Sequence, residues 1–134
     1  MKTERVRADW LEDRLFLLRD HNDYPLVMTQ PLGVSGADLL PLGLIGCAAW
    51  DVVDILHKQR QKVTGLQVFA DSERDEDPPW KFKRIHVHYK ITGHNLRPDR
   101  VQQAITLSET KYCSIFATLR DAVTLSSDFE IVNE

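Results

Sequence analysis

A chain of 134 residues, 43% hydrophobic and 28% charged, has the balance of one ordinary globular domain spanning 1–134. Its net charge of −3 disfavours nucleic acid and acidic membrane surfaces as partners. It shows no unbroken run of about 18 apolar residues, and MKTERVRADW at its start lacks a signal-peptide core, so the expected location is the cytoplasm.

In chain order, residues 5–10, 14–18 and 24–29 are expected as three short strands. Turns at Glu12-Asp13 and His21-Asn22-Asp23 would join them into an N-terminal meander. Residues 30–36, punctuated by Pro31, Gly33, Ser35 and Gly36, form a loop. The stretch 35–61, SGADLLPLGLIGCAAWDVVDILHKQRQ, predicts one long helix capped by Ser35 or Asp38. Its first half is apolar nearly all round, the mark of a buried helix. Gly43, Gly46, Ala48 and Ala49 flank Cys47, and such small side chains let another backbone approach the sulfur. Gly65 closes the helical region. Residues 66–70 alternate as a strand, and 71–79 (DSERDEDPP) form a solvated acidic tip. Residues 82–92 alternate cleanly, with Ile85, Val87, Tyr89 and Ile91 on the core side and Arg84, His86, His88 and Lys90 on the wet side. After a turn at 93–97, Pro98 suits the first position of a helix. That helix carries an apolar period to Ala122 and breaks near Cys113. Residues 129–132 close the chain as a strand. The order β-β-β-α-β-β-α-β is α+β.

The chemistry available from these residues centres on Cys47 and Cys113, 66 positions apart and in no zinc-type cluster. In a reducing compartment such a pair is either two small core residues or a redox couple. A redox couple needs a thiolate at the first sulfur and a second thiol to condense with its sulfenic acid. Cys47 lies too far into its helix for the dipole to stabilise a thiolate, and Asp51, one turn on, would oppose one if it faced the same way. A cation must come from elsewhere, most simply an arginine. His86 and His88, two apart on one strand face, could chelate a metal but lack a third ligand at short spacing, so no metal and no bound cofactor are expected. Trp10, Trp50 and Trp80 are expected to pack.

The blocks SGADLLPLGLIGCAAWDVVDIL and LSETKYCSIFATL, with RIHVHYKITGHNL between them, resemble the OsmC/Ohr family of organic-hydroperoxide reductases, over most of residues 5–132. The resemblance implies an OsmC-like α+β fold: an intertwined homodimer with two long central helices and curved antiparallel sheets outside. It implies Cys47 as the peroxidatic cysteine and Cys113 as the resolving one. Asp38 falls at the acid position of the helix start, one carbon shorter than glutamate. The Ohr branch has its glutamate one residue earlier, where this chain has Ala37. Arg14 matches best as the site arginine and Arg19 is the runner-up.

The activity so implied is reduction of organic hydroperoxides in the response to oxidative or osmotic stress, with an external dithiol, lipoyl-like in the family, as reductant. A pocket near Leu40, Leu44 and Trp50 would favour bulky, hydrophobic peroxides. Two other possibilities fit the same residues: a dimer that binds a hydrophobic small ligand at its interface without turnover, and a structural dimer with inert cysteines.

Overall fold

Alternation of apolar and polar residues and a single row of large aliphatic side chains dictate most of the architecture. A computed structural model describes residues 1–30 and 32–134. Pro31, expected in the loop before the helix, lies outside the described residues. The chain divides into two compact units, Met1–Leu40 and Pro41–Glu134.

The first unit is an antiparallel three-stranded sheet of β1 (Arg7–Glu12), β2 (Leu15–Arg19) and β3 (Pro25–Met28), in that order. The β1–β2 connection is a two-residue turn at Asp13 and Arg14, with Asp13 at φ 45°. Arg14, expected in the second strand, is therefore a turn residue. Trp10 Nε1 donates to Asp13 O at 2.9 Å and ties that turn down. At the β2–β3 turn, Asp20 Oδ1 accepts from the backbone N–H groups of Asn22 and Tyr24 at 2.9 and 2.8 Å, the aspartate's usual turn-making role.

The long helix α1 runs Leu39–Lys58, not from residue 35. Gly36, Ala37 and Asp38 form a turn whose carbonyls at Gly36 and Ala37 accept from the N–H groups of Leu39 and Leu40. Asp38 is exposed, directly before the first helical residue. Arg60, not Gly65, stops the helix. Arg60 takes φ 59° while its N–H donates to His57 O, and Gln61 N–H donates to Leu56 O, the paired bonds of a Schellman ending.

The second unit packs α1 with a sheet of β4 (Lys62–Arg74), β5 (Phe82–His94) and β6 (Thr124–Asn133), in the order β4-β5-β6. Both hairpin strands reach further than expected: 71–74 continues β4 against 82–86, so the acidic tip is shorter. Gly65 lies within β4 at a register shift. Gly93 belongs to β5, where a Cβ would come within 2.1 Å of Lys62 O, so only glycine allows the strands this close. β4 and β5 are antiparallel, but β6 joins β5 in parallel, from Arg84↔Thr124 to Gly93↔Asn133. The sheet is thus mixed, where an antiparallel one was expected. The crossover carries α2 (Pro98–Leu107), a π-helical turn (Ser108–Tyr112) and α3 (Ser114–Leu119). The expected break near Cys113 is this turn.

One row of α1, Leu44, Ala48, Val52 and Leu56, is wholly buried, and so are Ile85, Val87, Tyr89 and Ile91 of β5. Val101, Ala104 and Ile105 of α2 join this core, with Leu96, Cys113, Phe116 and Val123. The rest of α1 is not buried. Leu42 is 47% and Trp50 78% exposed, so the all-round apolar pattern does not mean burial within this chain. Trp10 and Trp80 are also exposed rather than packed. By length and mean hydropathy α1 is long and apolar enough to cross a bilayer, although Asp51 and Asp54 interrupt its apolar run; its Leu44–Leu56 row is occupied by protein core.

Candidate functional site

Helical spacing puts Cys47 and Asp51 on one face of α1, a turn apart. Cys113 arrives at the same place from the other end of the crossover. The Cys47 and Cys113 sulfurs and an Asp51 carboxylate oxygen all lie within 4.8 Å of one another. Both cysteines are free thiols, Cys47 half-buried and Cys113 buried.

The π-helical turn is what delivers Cys113. Its closing bond runs from Cys113 N–H to Ser108 O at 2.8 Å, five residues back, and Cys113 itself is extended (φ −80°, ψ 108°) before α3 begins. A continuous α-helix would carry the residue round to a different face. The turn also buries Ser108, whose Oγ donates to Asp51 Oδ2 at 3.1 Å and fixes that carboxylate.

A second carboxylate, Glu109, sits beneath. It accepts from Tyr89 Oη and Ser127 Oγ, both at 3.0 Å. Burial raises its carboxyl above the ordinary glutamate range, while those two hydrogen bonds pull the other way. Burial also pushes the Tyr89 hydroxyl up, and the neighbouring Glu109, Cys113 and Asp51 charges add to it. Arg120 joins the network by donating from Nη2 to the Glu109 backbone carbonyl at 3.3 Å.

The Cys113 thiol is pushed up to about 11, first by burial and then by its hydrogen bond to Cys47. Backbone N–H groups of Phe116 and Ile115 oppose this only in part. Cys113 therefore keeps its proton at neutral pH.

Of the residues expected at the site, Cys47 and Cys113 are brought together. Asp38 and Arg14 lie in the first unit. Arg14 lines a cleft of about 240 Å³ with Phe16, Met28, Thr29 and Gln30. Arg19 is engaged in its own turn, donating from Nη1 to Asp23 O at 2.8 Å. Leu44 is core and cannot line a pocket. Trp50 instead borders an open concavity of about 580 Å³ with Gly46, Ala49, Val53, His57 and Leu66.

Sequence reasoning missed Tyr89, Ser108, Glu109 and Ser127. Glu109 and Ser108 stand within LSETKYC, close to Cys113, and that proximity was the available signal. Tyr89 gave no signal, because its position in the alternation marks it as core. His86 and His88 do meet a third group: Asp128 Oδ1 lies 3.0 Å from His86 Nε2 and 2.7 Å from His88 Nδ1, across the parallel β5–β6 pairing.

A half-buried thiol on the long helix and a buried thiol beyond a broken second helix, on an α+β scaffold, define this class of fold. The chain belongs to the OsmC-like protein family, which it matches over residues 29–128. It is 34% identical over 131 residues to Protein YhfA of Escherichia coli K12, covering 96% of this chain and 98% of that one. A hypothetical protein from Aquifex aeolicus superposes with a TM-score of 0.89 at 25% identity, covering 100% and 99% of the two chains. An organic hydroperoxide resistance protein OsmC from Legionella pneumophila superposes with a TM-score of 0.70 at 14% identity, covering 97% and 98%, a likeness of fold.

Proposed function

We propose that this protein is a homodimeric thiol peroxidase that reduces organic hydroperoxides in the cytoplasm as part of a stress response. One observation carries the reading: two free thiols, 66 residues apart in sequence, lie within 4.8 Å of each other, one buried and protonated and the other reachable. Family membership and the Legionella protein's named role support it.

In this scheme the Cys47 thiolate attacks the distal peroxide oxygen. The O–O bond breaks, Cys47 becomes a sulfenic acid, and the alkoxide leaves and takes a proton to become the alcohol. Cys113 then attacks the Cys47 sulfur, forming the disulfide and releasing water. An external lipoyl-like dithiol returns both thiols and is itself oxidised. The family resemblance assigns the thiolate-stabilising cation to Arg14 and the acid that orients it to Asp38. Arg19 is the weaker choice, since it already serves the β2–β3 turn.

The test is one equivalent of cumene hydroperoxide on reduced protein, followed by intact mass. Loss of two hydrogens and of both titratable thiols is expected. Unchanged mass with two free thiols overturns the proposal. Limited iodoacetamide should label Cys47 before Cys113, because Cys113 is buried and its thiol is pushed up to about 11.

A second reading is a dimer that binds a hydrophobic ligand without turnover. The Asp51 carboxylate beside both sulfurs favours it, because that charge opposes a thiolate. A ligand-dependent rise in melting temperature with no peroxide consumed would select it.

A further inference from the structure

Asp51 is the anomaly of the thiol cluster. A carboxylate on the face of Cys47 discourages a lone thiolate, yet here Ser108 holds it in place with a part-buried hydrogen bond. Two sulfurs and a carboxylate oxygen are unfavourable company as three anions, and favourable as three ligands of one cation.

We propose that Cys47, Asp51 and Cys113 form a binding site for a borderline-soft divalent cation, with zinc its natural probe. The three atoms lie no more than 4.8 Å apart, and tetrahedral zinc with Zn–S near 2.3 Å and Zn–O at roughly 2.0–2.2 Å holds such ligands about 3.4–3.8 Å apart, so closure by up to about 1 Å completes the site. The donor set fits zinc better than magnesium or calcium, which take oxygen ligands. Ser108 supplies the outer contact that ligating carboxylates ordinarily have. Three protein ligands leave a fourth position open, and the half-buried Cys47 marks the side from which the ion enters. Binding forms two Zn–S bonds and one Zn–O bond and releases the two thiol protons to solvent. No electron moves, so the site stays reversible and protects the thiols from oxidation while it is filled.

The proposal stands on this geometry and not on peroxide turnover; the two fail separately, since zinc binding is read without peroxide. Reduced full-length protein is titrated anaerobically with zinc against a chromophoric chelator, and with cobalt for its spectrum. One zinc per chain, a thiolate-to-cobalt absorption band and protection of both thiols from a disulfide reagent are expected. Asp51→Asn removes a direct ligand and should weaken zinc by more than the roughly 10–100-fold that loss of an outer contact costs, while leaving both thiols titratable. Cys47→Ser should abolish the cobalt band. His86→Ala/His88→Ala should change nothing. The proposal is overturned if wild-type protein gives no cobalt band, if Cys47→Ser/Cys113→Ser retains the zinc, or if loss of the histidines removes it. Circular dichroism of each variant separates a lost ligand from a lost fold.

Discussion

Glu109 shows how one buried carboxylate couples fold to pH. Its carboxyl is raised by burial, so between the ordinary glutamate value near 4.5 and its raised value the folded state holds more protons than the unfolded one. Stability from this group is greatest below that window and is lost as pH rises through it. Glu109→Gln removes the titration and keeps one acceptor oxygen, so one of the Tyr89 and Ser127 hydroxyls turns to accept from the amide NH2. Its urea midpoint should fall less than the parent's as pH rises through the window, leaving the variant relatively more stable above it. Parallel pH profiles for the two proteins would contradict this. At this scale the sequence was legible where chemistry was concentrated: Cys47 and Cys113 stand out in any globular chain. It was opaque for Ser127, an inward-facing polar residue that interrupts the apolar alternation of β6. For that reason only 129–132 looked like a strand, whereas the strand runs Thr124–Asn133.

At the scale of elements, α1 carries two different surfaces. The row Leu44, Ala48, Val52 and Leu56 belongs to the core, while Leu42 and Trp50 face outward. Leu44→Ala should cost about 2–5 kcal/mol in urea unfolding, as a cavity-forming change does. Leu42→Ala should cost the isolated chain no more than roughly 0.5 kcal/mol. Equal losses would mean that the two faces are buried alike. The strands were readable to the extent that they alternate. Ile85, Val87, Tyr89 and Ile91 all face the core as their period requires. The ends were harder, because backbone geometry sets them. Arg60 in a left-handed conformation stops α1, and a π-helical turn offsets Cys113 from the α2 register. Neither feature has a residue code as plain as glycine or proline.

For the molecule as a whole, the outward face of α1 is the reason to expect a second copy. Gly43 and Gly46 have open space where a Cβ would point, so the close approach that small residues permit is not used by this chain. Trp50 stands 78% exposed beside the open concavity, the kind of aromatic anchor that interfaces favour. Trp50→Glu should turn a dimer into a monomer in light scattering across micromolar concentrations. A dimer of unchanged mass would move the interface elsewhere, and a monomeric parent would remove it.

The sequence by itself determined the α+β class, the inward set of β5, the place of the long helix and its family. All of these rest on local periodicity and on short blocks of residues read in order. Tertiary structure alone decided that β6 lies parallel to β5, that Asp51 faces both sulfurs, and that Tyr89, Ser108, Glu109 and Ser127 form one hydrogen-bonded network. Those facts depend on which segments meet after the crossover folds back, and contacts between distant residues leave no period along the chain.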